Sequence, residues 1–243
     1  MPEPRKPRKS PVLPLVIAAL AAVALMITLF VTSSDDGDSD TAGDDAAASV
    51  SPQGADSADD PLAGLARRDA DDPMAMGEVD APVVLINYSE FQCPFCGKFA
   101  RDTAPTLIEK YVEDGTLRIE WRDFPYLGEE STTAALAGRA AAAQGSFWEF
   151  HDAMYADQLP PNSGNLDEAY VEAIADDLGL DVEQFLADLR SDGAQALVDI
   201  DFQEGQSIGV TGTPSFLVNG TPIVGAQPTE VFEQVIEQAA AAS

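Results

Sequence analysis

Thiolate and imidazole metal ligands are scarce in this sequence, which holds two cysteines and one histidine, His151. A structural zinc site commonly draws four ligands from those types, so the supply excludes intramolecular zinc. No metal site is expected. Basic residues are scarce as well. Lysine occurs only at Lys6, Lys9, Lys98 and Lys110, and 13 Lys and Arg face 42 Asp and Glu for a net charge of −29. A field of that sign repels phosphate, which argues against nucleic acid or anionic lipid as the partner of the folded part. So acidic a surface suits a high-salt cell, where counterions screen self-repulsion, and equally a composition that simply favours Asp and Ala. Aromatic residues make up only 7% of the chain, yet 45% is hydrophobic, enough for a core. No internal repeat is visible.

Only one apolar run is long. Residues 12–31, VLPLVIAALAAVALMITLFV, carry no charge and follow Arg5, Lys6, Arg8 and Lys9. Twenty helical residues span about 30 Å, the thickness of a bilayer's hydrocarbon core. A cleavable signal usually has a shorter apolar region and a small-residue exit. The expectation is therefore an uncleaved single-pass anchor at the cell membrane, with a cleaved signal as the alternative. The basic residues 1–11 would stay cytoplasmic and leave the rest extracytoplasmic. Residues 32–75 read as a disordered acidic linker. Between Ser33 and Asp72 twelve Asp stand against Arg67 and Arg68, a net of −10 with no aromatic residue, too little apolar surface to offset the entropy of ordering.

A folded domain is expected over 76–243. Pro82 to Ile86 (PVVLI) has the continuous apolar character of a strand covered on both faces. A helix follows over 98–112, kinked at Pro105, and Leu117, Ile119 and Trp121 alternate as a second strand. Helices then fill an insert at about 130–192. Ser146 with Glu149, Asn165 with Glu168, and Asp181 with Gln184 serve as start signals. A hairpin turns at Asn219-Gly220, Pro222 puts its second strand at the sheet edge, and a last helix runs over 228–240, with Val231, Phe232, Val235 and Ile236 facing inward. The order is β-α-β, helical insert, β-β-α, an α/β fold.

Both cysteines fall where the first strand hands over to its helix, in Phe91-Gln92-Cys93-Pro94-Phe95-Cys96. A disulfide closing so short a loop constrains the unfolded chain very little, so a structural staple is a poor explanation. The spacing favours a bond that is made and broken. Cys93 would sit at the helix N-terminus, where free N–H groups stabilise a thiolate, with Pro94 suited to the first turn. Cys93 is expected to be exposed and reactive, and Cys96 shielded. An oxidised Cys93–Cys96 pair would be attacked by a client thiolate at Cys93. The low pKa of Cys93 would then stabilise the reduced form and drive oxidation of clients.

The series Tyr88-Ser89-Glu90-Phe91-Gln92-Cys93-Pro94-Phe95-Cys96, Pro105, Arg122-Asp123-Phe124-Pro125, Gly145 to His151 (GSFWEFH), Leu178-Gly179-Leu180 and Gly209 to Pro214 (GVTGTP) resembles the DsbA-like thiol–disulfide oxidoreductases over 76–240. The resemblance implies a thioredoxin-like fold with an α-helical insertion. It also implies a cis-proline loop at Thr213-Pro214 that pairs with client backbone, and no cofactor beyond the dithiol. Cysteine-containing exported proteins would be the clients, and a quinone-linked membrane thiol oxidase the electron acceptor. Two positions depart from the family pattern. Asn87 stands where a buried acid is usual, leaving Glu90, water or no group to move protons. Phe95 stands where the most oxidising relatives carry His, which implies a milder oxidant. Pro94, Phe95 and Glu90 are the expected tuning residues. Isomerase or reductase activity of the same fold, and a redox-inert peptide-binding module, are the competing readings.

Overall fold

The structure is a computed structural model that describes residues 61–243. The expected anchor at 12–31 and most of the linker lie outside those residues. Among the described residues no helix is long and apolar enough to cross a membrane.

Five strands form one sheet in the order β1 (Ala75–Met76), β3 (Leu117–Asp123), β2 (Val83–Ser89), β4 (Ser215–Val218) and β5 (Thr221–Val224). Strand β2 (Val83–Ser89) is buried along its whole length and pairs in parallel with β3 (Leu117–Asp123), from Val83 opposite Leu117 to Ser89 opposite Asp123. Its other edge pairs antiparallel with β4 (Ser215–Val218), and Tyr88 faces Ser215 there. β5 (Thr221–Val224) closes that side as an edge strand, as Pro222 requires. A two-residue strand, β1 (Ala75–Met76), adds to β3 on the opposite side; no sequence signal announced it.

Alternation along β2 feeds two cores. Val83 and Leu85 pack with Phe99, Leu107, Phe216 and Phe232 on one face, while Val84, Ile86 and Tyr88 pack with Phe124 and Leu217 on the other. The first helix, α1, begins four residues earlier than expected. It alternates α-helical Pro94–Lys98 and Ala104–Leu107 with π-helical turns Phe99–Thr103 and Ile108–Val112. The first π turn ends immediately before Ala104-Pro105. Pro105 has no N–H to place in an α ladder, and the widened turn accommodates it.

The insert comprises α2 (Glu129–Ala143), α3 (Phe147–Ala156), α4 (Glu168–Asp177), α5 (Val182–Leu189) and α6 (Asp192–Ser207). It runs past the expected end near 192, because α6 is a sixteen-residue helix. Two start signals differ from expectation. Asp167, not Asn165, caps α4 by accepting from Tyr170 N, and Ser146 makes no side-chain cap bond. The last helix, α7 (Thr229–Ala241), buries Phe232 and Ile236 but leaves Val231 exposed.

The domain begins earlier than Met76. Residues 61–75, assigned to the linker by composition, are docked. The backbone N–H groups of Arg67 and Arg68 donate to the Glu120 carboxylate at 3.0 and 2.8 Å. The Arg67 guanidinium also pairs with Asp201 at 2.7 Å. Arg67 thus pairs with a buried carboxylate that net charge conceals, while the Arg68 guanidinium donates to the carbonyls of Val79 and Ala81.

Candidate active site

Strand β2 ends at Ser89, and the next four residues turn the chain into α1. Cys93 N donates to Glu90 O at 3.4 Å, and Gly97 N to Cys93 O at 3.1 Å. Cys93 is thus the N-cap, in extended conformation, with Pro94 as the first helical residue. Both sulfurs are free thiols. The pairing of β4 with β2 carries the Thr213–Pro214 peptide, which is cis, to the same end of the sheet. The Cys93 Sγ lies 3.2 Å from the Thr213 carbonyl oxygen, to which its thiol form donates.

That contact corrects one expectation. Cys93 is only 2% exposed, because its sulfur turns toward the cis-proline loop instead of into solvent. Pro94 and Phe95 are the exposed residues of the motif, Phe95 at 63%.

The two thiols are unlike. Hydrogen bonding from the Cys96 thiol, with Thr213 and the N–H groups of Cys96 and Phe95 contributing, outweighs burial and lowers the Cys93 pKa to about 6. The Thr213 hydroxyl is part of the environment of both sulfurs. Burial pushes the Cys96 thiol well above its usual value, and the neighbouring Cys93 sulfur pushes it further. Near neutral pH the pair therefore carries one thiolate, on Cys93, and one proton, on Cys96.

The helical insert holds the turn in place residue by residue. Tyr155 OH donates to Glu90 O at 2.9 Å. Phe91 stacks on Trp121 with ring centroids 5.2 Å apart and meets Phe150 edge-on. Gln92 Nε2 donates to Ser131 Oγ at 2.7 Å, and Gln92 Oε1 accepts from Asn162 N at 2.7 Å. Gln158 Nε2 donates to both Phe91 O and Cys93 O, at 2.8 and 2.9 Å. A glycine at 97 permits that clamp, since a Cβ there would lie 2.3 Å from Gln158 Oε1. Ser131, Tyr155, Gln158 and Asn162 were not anticipated from sequence. Only Tyr155 had a signal, lying one helical turn beyond His151 in the GSFWEFH segment.

Glu90 is buried at 2% exposure. One of its oxygens, Oε2, accepts from Gln92 N at 2.9 Å and from Ser131 Oγ at 2.8 Å; Oε1 has no partner. Burial raises its pKa to about 7, against the pull of those two donors, and the Cys93 charge adds to the rise. Asn87, three residues earlier, is also buried, with its Oδ1 unpartnered. It lines a cavity of about 600 Å³ together with Trp148, His151 and Tyr155. His151 is a packed residue whose ring meets Trp121 and Tyr155 edge-on.

Comparison with known proteins places this geometry. Residues 69–238 match a family described as Thioredoxin. A probable disulfide bond formation protein D from Bacillus cereus is 33% identical over 150 residues, covering 60% of this chain and 69% of the relative. The Na(+)/H(+) antiporter NhaA 3 of Salinispora tropica is 35% identical over 182 residues, which is 72% of this chain but only 26% of the antiporter. The crystal structure of oxidised BdbD from Bacillus subtilis superposes with a TM-score of 0.65 at 22% identity, over 69% of this chain and 92% of that one.

Proposed function

We propose, for a chain that belongs to the DsbA-like thioredoxin-fold family and so performs thiol–disulfide oxidoreductase chemistry, that the reaction runs toward oxidation of exported proteins. The observation that carries this direction is the unequal pair, one sulfur ionised near neutrality and its neighbour protonated. A stabilised Cys93 thiolate favours the reduced enzyme, and therefore favours handing the disulfide to a client.

The client's first thiolate attacks Cys93 Sγ and expels Cys96, leaving a mixed disulfide at Cys93. An extended client strand would pair with the backbone at Thr213-Pro214, whose carbonyl already lies against Cys93 Sγ. The client's second thiolate then attacks its own half of the mixed disulfide and expels Cys93 as the better leaving group. Pro94 sets the first turn, Phe95 presents an apolar exposed face to the client, and Glu90 sets the local charge. A quinone-linked membrane thiol oxidase would take the electrons. An anchor at residues 12–31 would hold the domain outside the membrane, close to that partner. The antiporter likeness covers a quarter of that protein, so cation transport is not carried over.

The test is alkylation of the fully reduced protein with iodoacetamide as a function of pH. One thiol should react with a midpoint near pH 6, and Cys93→Ser should remove both that reaction and the oxidation of a dithiol peptide. A reduced protein that reacts at pH 6 no faster than an unstructured thiol would end this reading.

A further inference from the structure

A buried carboxylate beside the cysteines sets local charge in the exchange written above but gives and takes no proton there. Glu90 lies three residues before Cys93 in the same turn, with its own carbonyl fixed by Cys93 N and Tyr155 OH. Its side chain accepts from the hydroxyl of Ser131 on α2 and lies within electrostatic reach of Cys93, of Tyr155 on α3 and of Tyr126 in the loop after β3. None of these groups is a cation, and among the described residues no basic side chain pairs with the carboxylate. One of its oxygens remains without any partner. A carboxylate in that position is poorly compensated, and a new negative charge nearby makes it worse.

Reduction of the pair creates such a charge on Cys93. We infer that Glu90 stores the client's second proton, binding it when the cysteines are reduced and releasing it when they are reoxidised. This rests on the oxidative reading above and deepens it.

The step balances without help from solvent. A client dithiol brings two S–H bonds. The Cys93–Cys96 bond breaks, a client S–S bond forms, and two electrons pass to the enzyme's sulfurs. One proton goes to Cys96, and Cys93 remains a thiolate. The other proton converts the Glu90 carboxylate to a carboxylic acid. Reoxidation by the acceptor reverses both transfers, because removal of the Cys93 charge lowers the proton affinity of Glu90 again. With a pKa of about 7 in the reduced protein, the exchange falls at working pH.

The experiment is a glutathione redox titration of the full chain at several pH values between 6.5 and 8, with Glu90→Gln beside it. Above the Cys93 midpoint, a pair without a proton store takes up one proton per two electrons. The native protein should take up more than one, and Glu90→Gln one. Equal proton uptake in the two overturns the inference and leaves the oxidative reading standing. A pair that does not equilibrate with glutathione overturns both. A second readout needs no folded variant: the reduced-minus-oxidised infrared difference spectrum of the native protein. A protonated carboxyl band gained on reduction supports the proposal, and its absence refutes it.

Discussion

Two glutamates in this domain have almost no exposure, and their surroundings treat them in opposite ways. Glu120, on β3, is 0% exposed. It receives backbone N–H from Arg67 and Arg68, Nε of Arg118 at 3.1 Å and a guanidinium N–H of Arg122 at 2.7 Å. Burial alone would raise its pKa; the two backbone donors and Arg122 hold it below the ordinary carboxylate value. The network continues to Glu204 through Arg122 and to Asp201 through Arg67, and Arg139 joins Asp201 to Asp123. Glu90 has one backbone donor, one hydroxyl and no cation, so burial wins. Burial therefore does not decide what a carboxylate does; the donors supplied to it do. Glu120 is built to stay charged and Glu90 so that a proton can come and go, while Asp123, in the same network as Glu120, is pushed up by burial and by the neighbouring Asp201.

The most severe way to break that contrast is to make the first region resemble the second. Arg122→Met keeps the side chain's length but removes a fully buried guanidinium from between Glu120 and Glu204. An uncompensated buried charge costs about 3–5 kcal/mol, and urea unfolding of the variant should show a loss of that size. The cysteines should keep their potential, since Arg122 contacts none of the active-site turn. A loss below about 1 kcal/mol would mean that the carboxylates are satisfied without it.

The second test separates the two glutamates by pH. The Glu90 pKa in the folded, reduced protein, about 7, lies above the ordinary 4.5. Its contribution to stability is therefore complete below about pH 4.5 and is lost as pH rises through 7. The reduced native protein should lose on the order of 3 kcal/mol across that interval that Glu90→Gln does not lose. Glu120 has the opposite sign: its contribution is present above the ordinary carboxylate value and is lost as pH falls, equally in both proteins. Superimposable stability curves for native and Glu90→Gln protein between pH 4.5 and 8 would contradict the assignment.

What the sequence could reveal followed the range of each interaction. β2, α1 and β3 were legible from local apolar patterns, and the hairpin from Asn219-Gly220 and Pro222. The reactive pair was legible because spacing and position at a helix start are local as well. Helix α6 was missed because glycines at 193 and 205 weaken its pattern. Gly205 has a packing cause that only the fold reveals: a Cβ there would come within 2.8 Å of the Phe124 ring. The docking of Arg67 joins residues more than 130 positions apart in sequence. Gln158 and Asn162 reach the active-site turn across 65 to 70 positions. No window of local composition contains such pairs. Glu90 was recognised as a candidate, but its missing cation is a property of the folded surroundings.

The mildest perturbation supplies a cation to the region that lacks one. Phe95→His places an imidazole two residues from Cys93 in the first turn of α1, at a position 63% exposed. A protonated ring there favours the thiolate by opposite charge, and solvent screening at so open a site limits the gain. The Cys93 pKa should fall below its present value near 6. In a glutathione titration near pH 6, the equilibrium should shift toward the reduced enzyme by roughly three- to tenfold. The shift should shrink as pH rises above the imidazole's own midpoint and should weaken in salt. Phe95→Leu, which changes the shape but adds no charge, should move the equilibrium little. If the His variant is no more oxidising at any of these pH values, hydrogen bonds already stabilise the sulfur as far as this turn allows. The Cys93 thiolate would then owe its stability to Cys96, Thr213 and the helix N–H groups.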